Sequence, residues 1–319
     1  MLLGYVAVIA AGLAALVWSA DRFVDGASAI AQRAGLTPML IGLTVVSVGT
    51  SAPEILISVM AAVTGSGALA VGNALGSNIA NIGLVLGVTL LITPLAMRRG
   101  TTFIDLPLLI ASVLFTAWLI WDLELSRGDS FFLLCALSFF FLRIAQHVKD
   151  PSIDALTPSI PKLPATQAWL SFSGGLILLI ASSRVLVWSA TQIAVALGVS
   201  ELIIGLTIVA LGTSLPELAA SVMSAIKGHA DMAIGAVVGS NMFNILLVLA
   251  IPGLWGNLIL DPEVLSRDLA TVFLTTLLLA LAALWGWNRE KGSGELRRGT
   301  GFALLLCYAG YYFWLLDSP

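Results

Sequence analysis

Charge is what this sequence has least of. Of its 319 residues only 10% are Asp, Glu, Lys or Arg, against about 25% in a soluble domain. The hydrophobic share is 59% and the mean hydropathy is +1.01. A soluble fold of this length could not hide so much apolar surface, so the composition predicts a polytopic protein embedded in a lipid bilayer. Cysteine is nearly absent. Cys135 and Cys307 lie far apart in apolar stretches and read as small spacers, not as a disulfide. The two histidines, His147 and His229, fall in expected loops, so no His or Cys metal centre is visible. A Walker A loop is missing, and ATP-driven pumping lacks support. No nucleophile–base pair or cofactor motif argues for an enzyme. A net charge of −3 scattered over short loops offers no basic face to nucleic acid, and nothing marks an obligate protein partner.

What is there is apolar runs long enough to cross about 30 Å of hydrocarbon. They fall near 2–20, 38–63, 69–95, 102–121 and 130–146, and again near 168–188, 201–225, 232–255, 269–287 and 300–316. That predicts an all-α protein of ten transmembrane helices. Weakly polar tails after 20 and 188 suggest that the first and sixth spans are long and tilted. The N-terminal run lacks the basic flank of a signal peptide and has a counterpart later in the chain, so it reads as a retained span. The Pro-rich segment HVKDPSIDALTPSIPKLPAT reads as a linker. With the N-terminus outside, twelve Lys and Arg collect on the cytoplasmic side and only Arg127, Arg184 and Arg267 lie outside. Positive charge favours the cytoplasm, which predicts a cell-membrane protein with both termini outside and the linker inside.

The chain also repeats itself. Moved by 163 residues, IGLTVVSVGTSAPEILISVMAAVTG lands on IGLTIVALGTSLPELAASVMSAIKG, and 25 of the 46 positions from 41 to 86 are identical. Residues 1–146 thus form one five-span repeat with its motif block at 41–87. Residues 147–166 are the linker, and 167–319 form the second repeat with its block at 204–250. Five is odd, so the second copy enters the membrane from the opposite side. Inverted repeats with broken helices are common in secondary transporters, which bind substrate near the midplane.

The repeated blocks carry polar chemistry inside apolar spans. GTSAPE (49–54) and GTSLPE (212–217) each hold a proline and a glutamate. Proline has no amide hydrogen and clashes with the carbonyl four residues back. Pro53 and Pro216 therefore predict breaks in the second and seventh spans, freeing the carbonyls of Gly49 and Gly212. Such breaks persist in a bilayer only where protein, water or an ion takes up the released groups. Oxygens concentrate there: the hydroxyls of Thr50, Ser51, Thr213 and Ser214, carbonyls near Ser47 and Ala210, and the carboxylates of Glu54 and Glu217. A hard cation takes oxygen ligands, six to eight for Ca²⁺. The bland alternative has each Ser and Thr bonding back to its own helix, but it leaves two costly glutamates unexplained. In GNALGSNIAN and GAVVGSNMFN, Ser77 with Asn81 and Ser240 with Asn244 share a helix face at four-residue spacing. Gly72 with Gly76 and Gly235 with Gly239 are small-residue pairs that favour close helix packing. Asn78 and Asn241 point elsewhere on the helix and suit interhelical hydrogen bonding at least as well as ligation. Asp105, Asp122, Glu124, Asp261 and Glu263 sit near span ends, where solvation accounts for them. Arg184 has no matching cation in the first half, where the same offset lands on Asp21, and reads as a snorkelling side chain.

These paired blocks resemble the alpha repeats of the cation/calcium exchanger superfamily, in particular its prokaryotic sodium/calcium exchanger branch. The resemblance spans nearly the whole chain. It implies a Ca²⁺ site bounded by Glu54 and Glu217 with the carbonyls of Thr50 and Thr213. It also implies Na⁺ sites at Ser47, Ser51, Ser77 and Asn81, and at the Ala210 carbonyl, Ser214, Ser240 and Asn244. Alternating access in such proteins would slide the first and sixth helices across the second, third, seventh and eighth. Some relatives of this type hold Asp where this chain has Asn244, so two carboxylates are the obvious midplane charge here, which argues against potassium coupling. Position 73 is Asn and its repeat mate is Ala236, so the halves are not equivalent. The expectation is Na⁺-for-Ca²⁺ antiport with those ions as substrates and no cofactor. A proton-coupled divalent exchanger is the alternative, because a buried Glu can carry H⁺. A channel is a third class, disfavoured by the inverted repeat.

Overall fold

The computed structural model describes residues 2–147, 163–198, 210–290 and 292–317. The described chain is mostly helical. Helix α1 runs over Leu2–Ala34, and α2 (Pro38–Thr50) meets α3 (Ala52–Val63) at a 46° bend. Then follow α4 (Gly67–Ile92), α5 (Thr101–Leu119) and α6 (Arg127–His147). The second half has α7 (Ala165–Ala196), α8 (Ala210–Thr213) and α9 (Leu215–Ile226). It ends with α10 (Ala230–Trp255), α11 (Val264–Trp285) and α12 (Arg298–Asp317). Six described helices are long and apolar enough to cross a membrane, or seven if the bent pair counts as one span. The protein is a multi-pass membrane protein.

Pro53 and Pro216 sit at the starts of α3 and α9, where a missing amide hydrogen costs nothing. Proline thus opens a new helix on the far side of each break, after Ser51 and Ser214. The first and sixth runs are long as expected, at 33 and 32 residues. Other expectations shift. Leu95 leaves the third helix for a strand, His147 is the last described residue of α6 and is helical, not in a loop, and α7 begins at Ala165. Most of the expected linker lies outside the described residues, as do 201–209 of the seventh span.

The fold is not purely helical, because the polar backbone of the connecting loops finds partners in short ladders. Strands β1 (Leu95–Arg98), β2 (Glu124–Leu125), β3 (Leu258–Ile259), β4 (Trp287–Asn288) and β5 (Ser293–Leu296) form two antiparallel sheets, ordered β1-β5-β4 and β2-β3. Leu95 pairs with Leu296, and Glu124 with Ile259. Each sheet joins the loop after one repeat's third helix to the loop between the other repeat's last two. The exchange is reciprocal.

Irregularities in the helices also recur at the same offset. Wide π-type turns occupy Asn81–Leu86 and Asn244–Val248, and again Thr101–Asp105 and Val264–Leu269. Helices α4 and α10 are the inner ones, with 72% and 94% of their most apolar windows buried, against 22% for α1. They anchor the main apolar core with α5, α6, α11 and α12, through Leu75, Ile82, Leu86, Val238, Phe243 and Leu246. A second, smaller cluster holds α1 and α7 together and seats them on α2, α9 and α10. It includes Phe23 stacked on Phe172 at 5.2 Å. Gly175 makes the close approach possible: a Cβ there would lie 2.6 Å from the Phe23 nitrogen.

Candidate functional site

The two breaks meet in the middle of the molecule. Glu54 and Glu217 are 1% and 3% exposed, each in the first turn of a helix that starts at its proline. The two carboxylates lie close enough to act on one another electrostatically. The Ser51 hydroxyl donates across the halves to Glu217 Oε1 at 3.2 Å and stands 3.1 Å from Ser240 Oγ. The Thr50 hydroxyl also lies against Glu217. One pocket of side chains is therefore assembled from α2, α3, α9 and α10.

Several polar atoms of the repeated motifs are left without partners. Glu54 Oε2, Glu217 Oε2, Ser214 Oγ, Asn81 Oδ1 and both amide atoms of Asn244 are buried without a hydrogen-bond partner among the described residues. Buried polar groups are nearly always satisfied, and an unpartnered one costs about 1–3 kcal/mol. So many together, rich in carboxylate, hydroxyl and amide oxygens, match the donor set of a hard cation. Ser77 (5% exposed), Ser240 and Asn244 are buried with Asn81. The two asparagines each begin a wide turn, a feature frequent at functional sites that nothing in the sequence announced.

Other predicted residues have plainer duties. Ser47 Oγ donates to the Leu43 carbonyl at 2.8 Å, and Thr50 Oγ1 to that of Val46 at 3.1 Å. For Ser47 the bland alternative holds, whereas the Thr50 hydroxyl also reaches Glu217. Their carbonyls remain near the break, and Ser47 O accepts the Ser51 amide. Thr213 closes α8, and Ala210 is its first described residue. The Gly212 carbonyl freed by Pro216 accepts a hydrogen bond from Ser183 of α7 at 2.8 Å, a partner that sequence spacing could not supply.

Gly235 and Gly239 pack as expected: a Cβ would come within 2.7 Å of the Met39 carbonyl and 2.6 Å of the Leu43 carbonyl. Gly72 and Gly76 meet nothing within 4 Å among the described residues. The repeat mates of 39–43, residues 202–206, lie outside the described residues. Asn241 donates back within its own helix to the Val237 carbonyl at 2.7 Å, while both amide atoms of the buried Asn78 are unpartnered, so the expected interhelical bonds are absent among the described residues. Cys135 and Cys307 are unpaired. His229 lies in the loop before α10, as expected, and is buried there.

Sequence reasoning passed over the charged contacts around this site. Lys227, just after α9, reaches α1 and sits 2.7 Å from Asp21 Oδ1 and 2.5 Å from Asp25 Oδ1. It also donates to the Asp21 carbonyl at 3.1 Å. Asp268 pairs with Arg267 at 2.8 Å and accepts from the Tyr311 hydroxyl at 3.1 Å. The mismatch of charge inside apolar helices was the available signal in both cases.

The model of the family described as sodium/calcium exchanger protein matches residues 4–145 and 167–316. The chain belongs to the sodium/calcium exchanger family. Among its relatives, a chain of Alkalimonas amylolytica whose name marks it as a candidate antiporter, CaxA, is 42% identical over 96% of this chain and 97% of its own. The inner membrane protein YrbG of Escherichia coli (strain K12) is 37% identical over 97% of this exchanger-family chain and 95% of its own. A solved structure of the sodium-calcium exchanger NCX_Mj, soaked with Na⁺ and Sr²⁺, superposes with a TM-score of 0.82 at 31% identity, over 100% of both chains.

Proposed function

We propose that the protein is a secondary active antiporter that exchanges Na⁺ for Ca²⁺, with Glu54 and Glu217 as the central ligands. The observation that carries this reading is the meeting of both glutamates with Ser51 and Ser240 in a buried pocket of unpartnered oxygens. Two like charges in a low-dielectric interior repel strongly, and a divalent cation between them cancels that repulsion. Two or three Na⁺ spread over the same carboxylates and the hydroxyl and amide oxygens of Ser51, Ser77, Asn81, Ser214, Ser240 and Asn244 do likewise. The carbonyls of Ser47, Thr50, Ala210 and Thr213 complete the shell. Competition for shared oxygens couples the two fluxes, and no covalent step is required.

The architecture we read is ten transmembrane helices in two inverted five-helix repeats, 1–146 and 167–319. The reciprocal ladders and the recurrence of breaks and wide turns at one offset support it. The small apolar cluster under α1 and α7 suits a helix pair that slides over the rest. By the distribution of Lys and Arg the protein sits in the cell membrane with both termini outside.

Uptake of ⁴⁵Ca²⁺ into Na⁺-loaded proteoliposomes diluted into Na⁺-free buffer tests the function. Uptake that Glu54→Gln abolishes is expected. If only a pH gradient drives uptake, the counter-ion is H⁺ and the Na⁺ assignment fails.

A further inference from the structure

Asn73 lies on α4, one turn ahead of Ser77. Its side-chain amide donates to the main-chain carbonyl of Glu54 at 3.0 Å and sits 3.3 Å from the Ser58 hydroxyl. Both contacts cross from α4 to the first turns of α3. That end of α3 is weakly fixed otherwise, since Ser51 makes no side-chain cap and Pro53 supplies no amide hydrogen. The Asn73 amide therefore braces from α4 the helical turn that carries Glu54.

The second half is built without this bond. The residue matching Asn73 is Ala236, which has no donor. The hydroxyl matching Ser58 is Ser221 Oγ, which is buried and has no partner among the described residues. Glu217 is held from the other end instead, by Ser51 on its carboxylate. A hydroxyl bonded to a carboxylate competes with a cation for it, whereas the bond to the Glu54 carbonyl adds no such competitor; both carboxylates also meet their own backbone amides, and Glu217 alone adds the hydroxyls of Thr50 and Ser51.

We propose that Asn73 is a positioning residue which makes Glu54 the fixed ligand of the transported divalent cation and leaves Glu217 as the adaptable one. The identity of the cation rests on the exchange reading above. Fixing a ligand in advance lowers the ordering cost of binding, so the amide acts on affinity and not on the passage of the loaded protein across the membrane.

The test uses purified full-length protein and four variants: Asn73→Ala, Asn73→Leu (a donor-free isostere), Ser58→Ala and Ala236→Asn. Equilibrium Ca²⁺ binding in detergent is measured beside Ca²⁺ uptake in proteoliposomes. Both Asn73 variants should weaken Ca²⁺ binding and raise the apparent KM about five-fold, with the maximal rate within about two-fold. Ser58→Ala keeps the bond to the Glu54 carbonyl and should stay within about two-fold of wild type in both measures. Ala236→Asn, which offers Glu217 the same brace against Ser221, should tighten binding. A fall in maximal rate at unchanged KM overturns the proposal, as does loss of fold in both Asn73 variants, because one amide bond does not decide whether the chain folds. Wild type that binds Ca²⁺ but shows no Na⁺-driven uptake overturns the exchange reading alone, provided Asn73→Ala still weakens binding. Na⁺-driven uptake with Asn73→Ala binding like wild type overturns this inference alone.

Discussion

Glu54 and Glu217 occupy matching positions in two blocks that share 25 of 46 residues, and their surroundings differ. Glu54 is tied through its carbonyl by Asn73, and Glu217 through its carboxylate by Ser51. The carbonyl of Gly212 is taken by Ser183 of α7. Gly49, its mate, faces the apolar end of Leu176 of the same helix at 3.0 Å from the position of a Cβ. Helix α7 therefore lies against both breaks, while α1 is bound by Lys227 beyond α9. Helix α1 packs along α9, whereas α7 makes no comparable contact along α3 among the described residues. Copied sequence thus does not give copied packing. An inverted repeat needs that difference, because equal packing of both halves would open the site equally to both sides.

The largest expected effect tests whether the cargo site itself is shared equally. Glu54→Gln and Glu217→Gln should each lower Na⁺-driven Ca²⁺ uptake by about 100-fold or more, since each leaves a buried charge balance broken. Near-equal losses in the proteoliposome assay keep the halves equivalent at the ion. A Glu217→Gln protein that retains most of its uptake would show that one half alone holds the cation.

Next comes the contact at Lys227, which has no mate. VWSA recurs at 17–20 and 187–190, so within the outer helices the local offset is 170 in place of 163; the positions on α7 that match Asp21 and Asp25 are then Thr191 and Val195, and Lys227 itself matches Thr64 at the offset of 163. Among the described residues, only one end of the molecule ties a long outer helix to the rest by ion pairs. Lys227 is 20% exposed and Asp21 41%, so solvent discounts the interaction, and about 1–2 kcal/mol is expected from the pair of bonds. Lys227→Met should lower the melting temperature of the detergent-solubilised protein by a few degrees at low salt. The difference should shrink in about 1 M salt, where screening reaches contacts of this exposure. Thr64→Lys combined with Val195→Asp would copy the contact to the other half. Its effect on uptake in inside-out against right-side-out vesicles shows whether the missing bond sets the preferred side.

Much of this asymmetry was out of reach of the sequence, for a physical reason. The breaks at Pro53 and Pro216, the glutamates and the Ser–Asn faces are local: each follows from what one residue does to the helix that carries it. The partner of the Gly212 carbonyl is 29 residues away and that of Lys227 more than 200, so they depend on how the helices stack. The wide turns at Asn81 and Asn244 were also hidden, because both asparagines carry ordinary helical backbone angles. Asn73 was visible only as a mismatch with Ala236. Its meaning came from the carbonyl it reaches.

A smaller change tests the bond at the second break. Ser183→Ala leaves the Gly212 carbonyl without its donor and should cost about 1 kcal/mol, read as a modest drop in melting temperature. A double-mutant cycle with Pro216→Ala sharpens it. Restoring the amide hydrogen at 216 lets the helix satisfy that carbonyl, so the two losses should not add.

The smallest effect is a pH dependence confined to the second half. His229 closes the turn before α10 and is 4% exposed, with Nδ1 unpartnered among the described residues. Burial holds its imidazole below the ordinary value of 6.5, helped by the Lys227 charge and opposed by Asp25. The helix N-terminus beside it also disfavours a cation. Above pH 6.5 the folded and unfolded chains are both neutral here, and stability is flat. As pH falls below 6.5 the unfolded chain takes up a proton that the folded one resists, so stability is lost. The loss levels off once pH passes the lowered folded value. The first half has Ser66 at the matching position and contributes no such slope. His229→Asn should flatten the melting curve's dependence on pH between about 6.5 and 5 while leaving the value at pH 8 nearly unchanged. An unaltered slope would assign the acid sensitivity to the carboxylates that face Lys227.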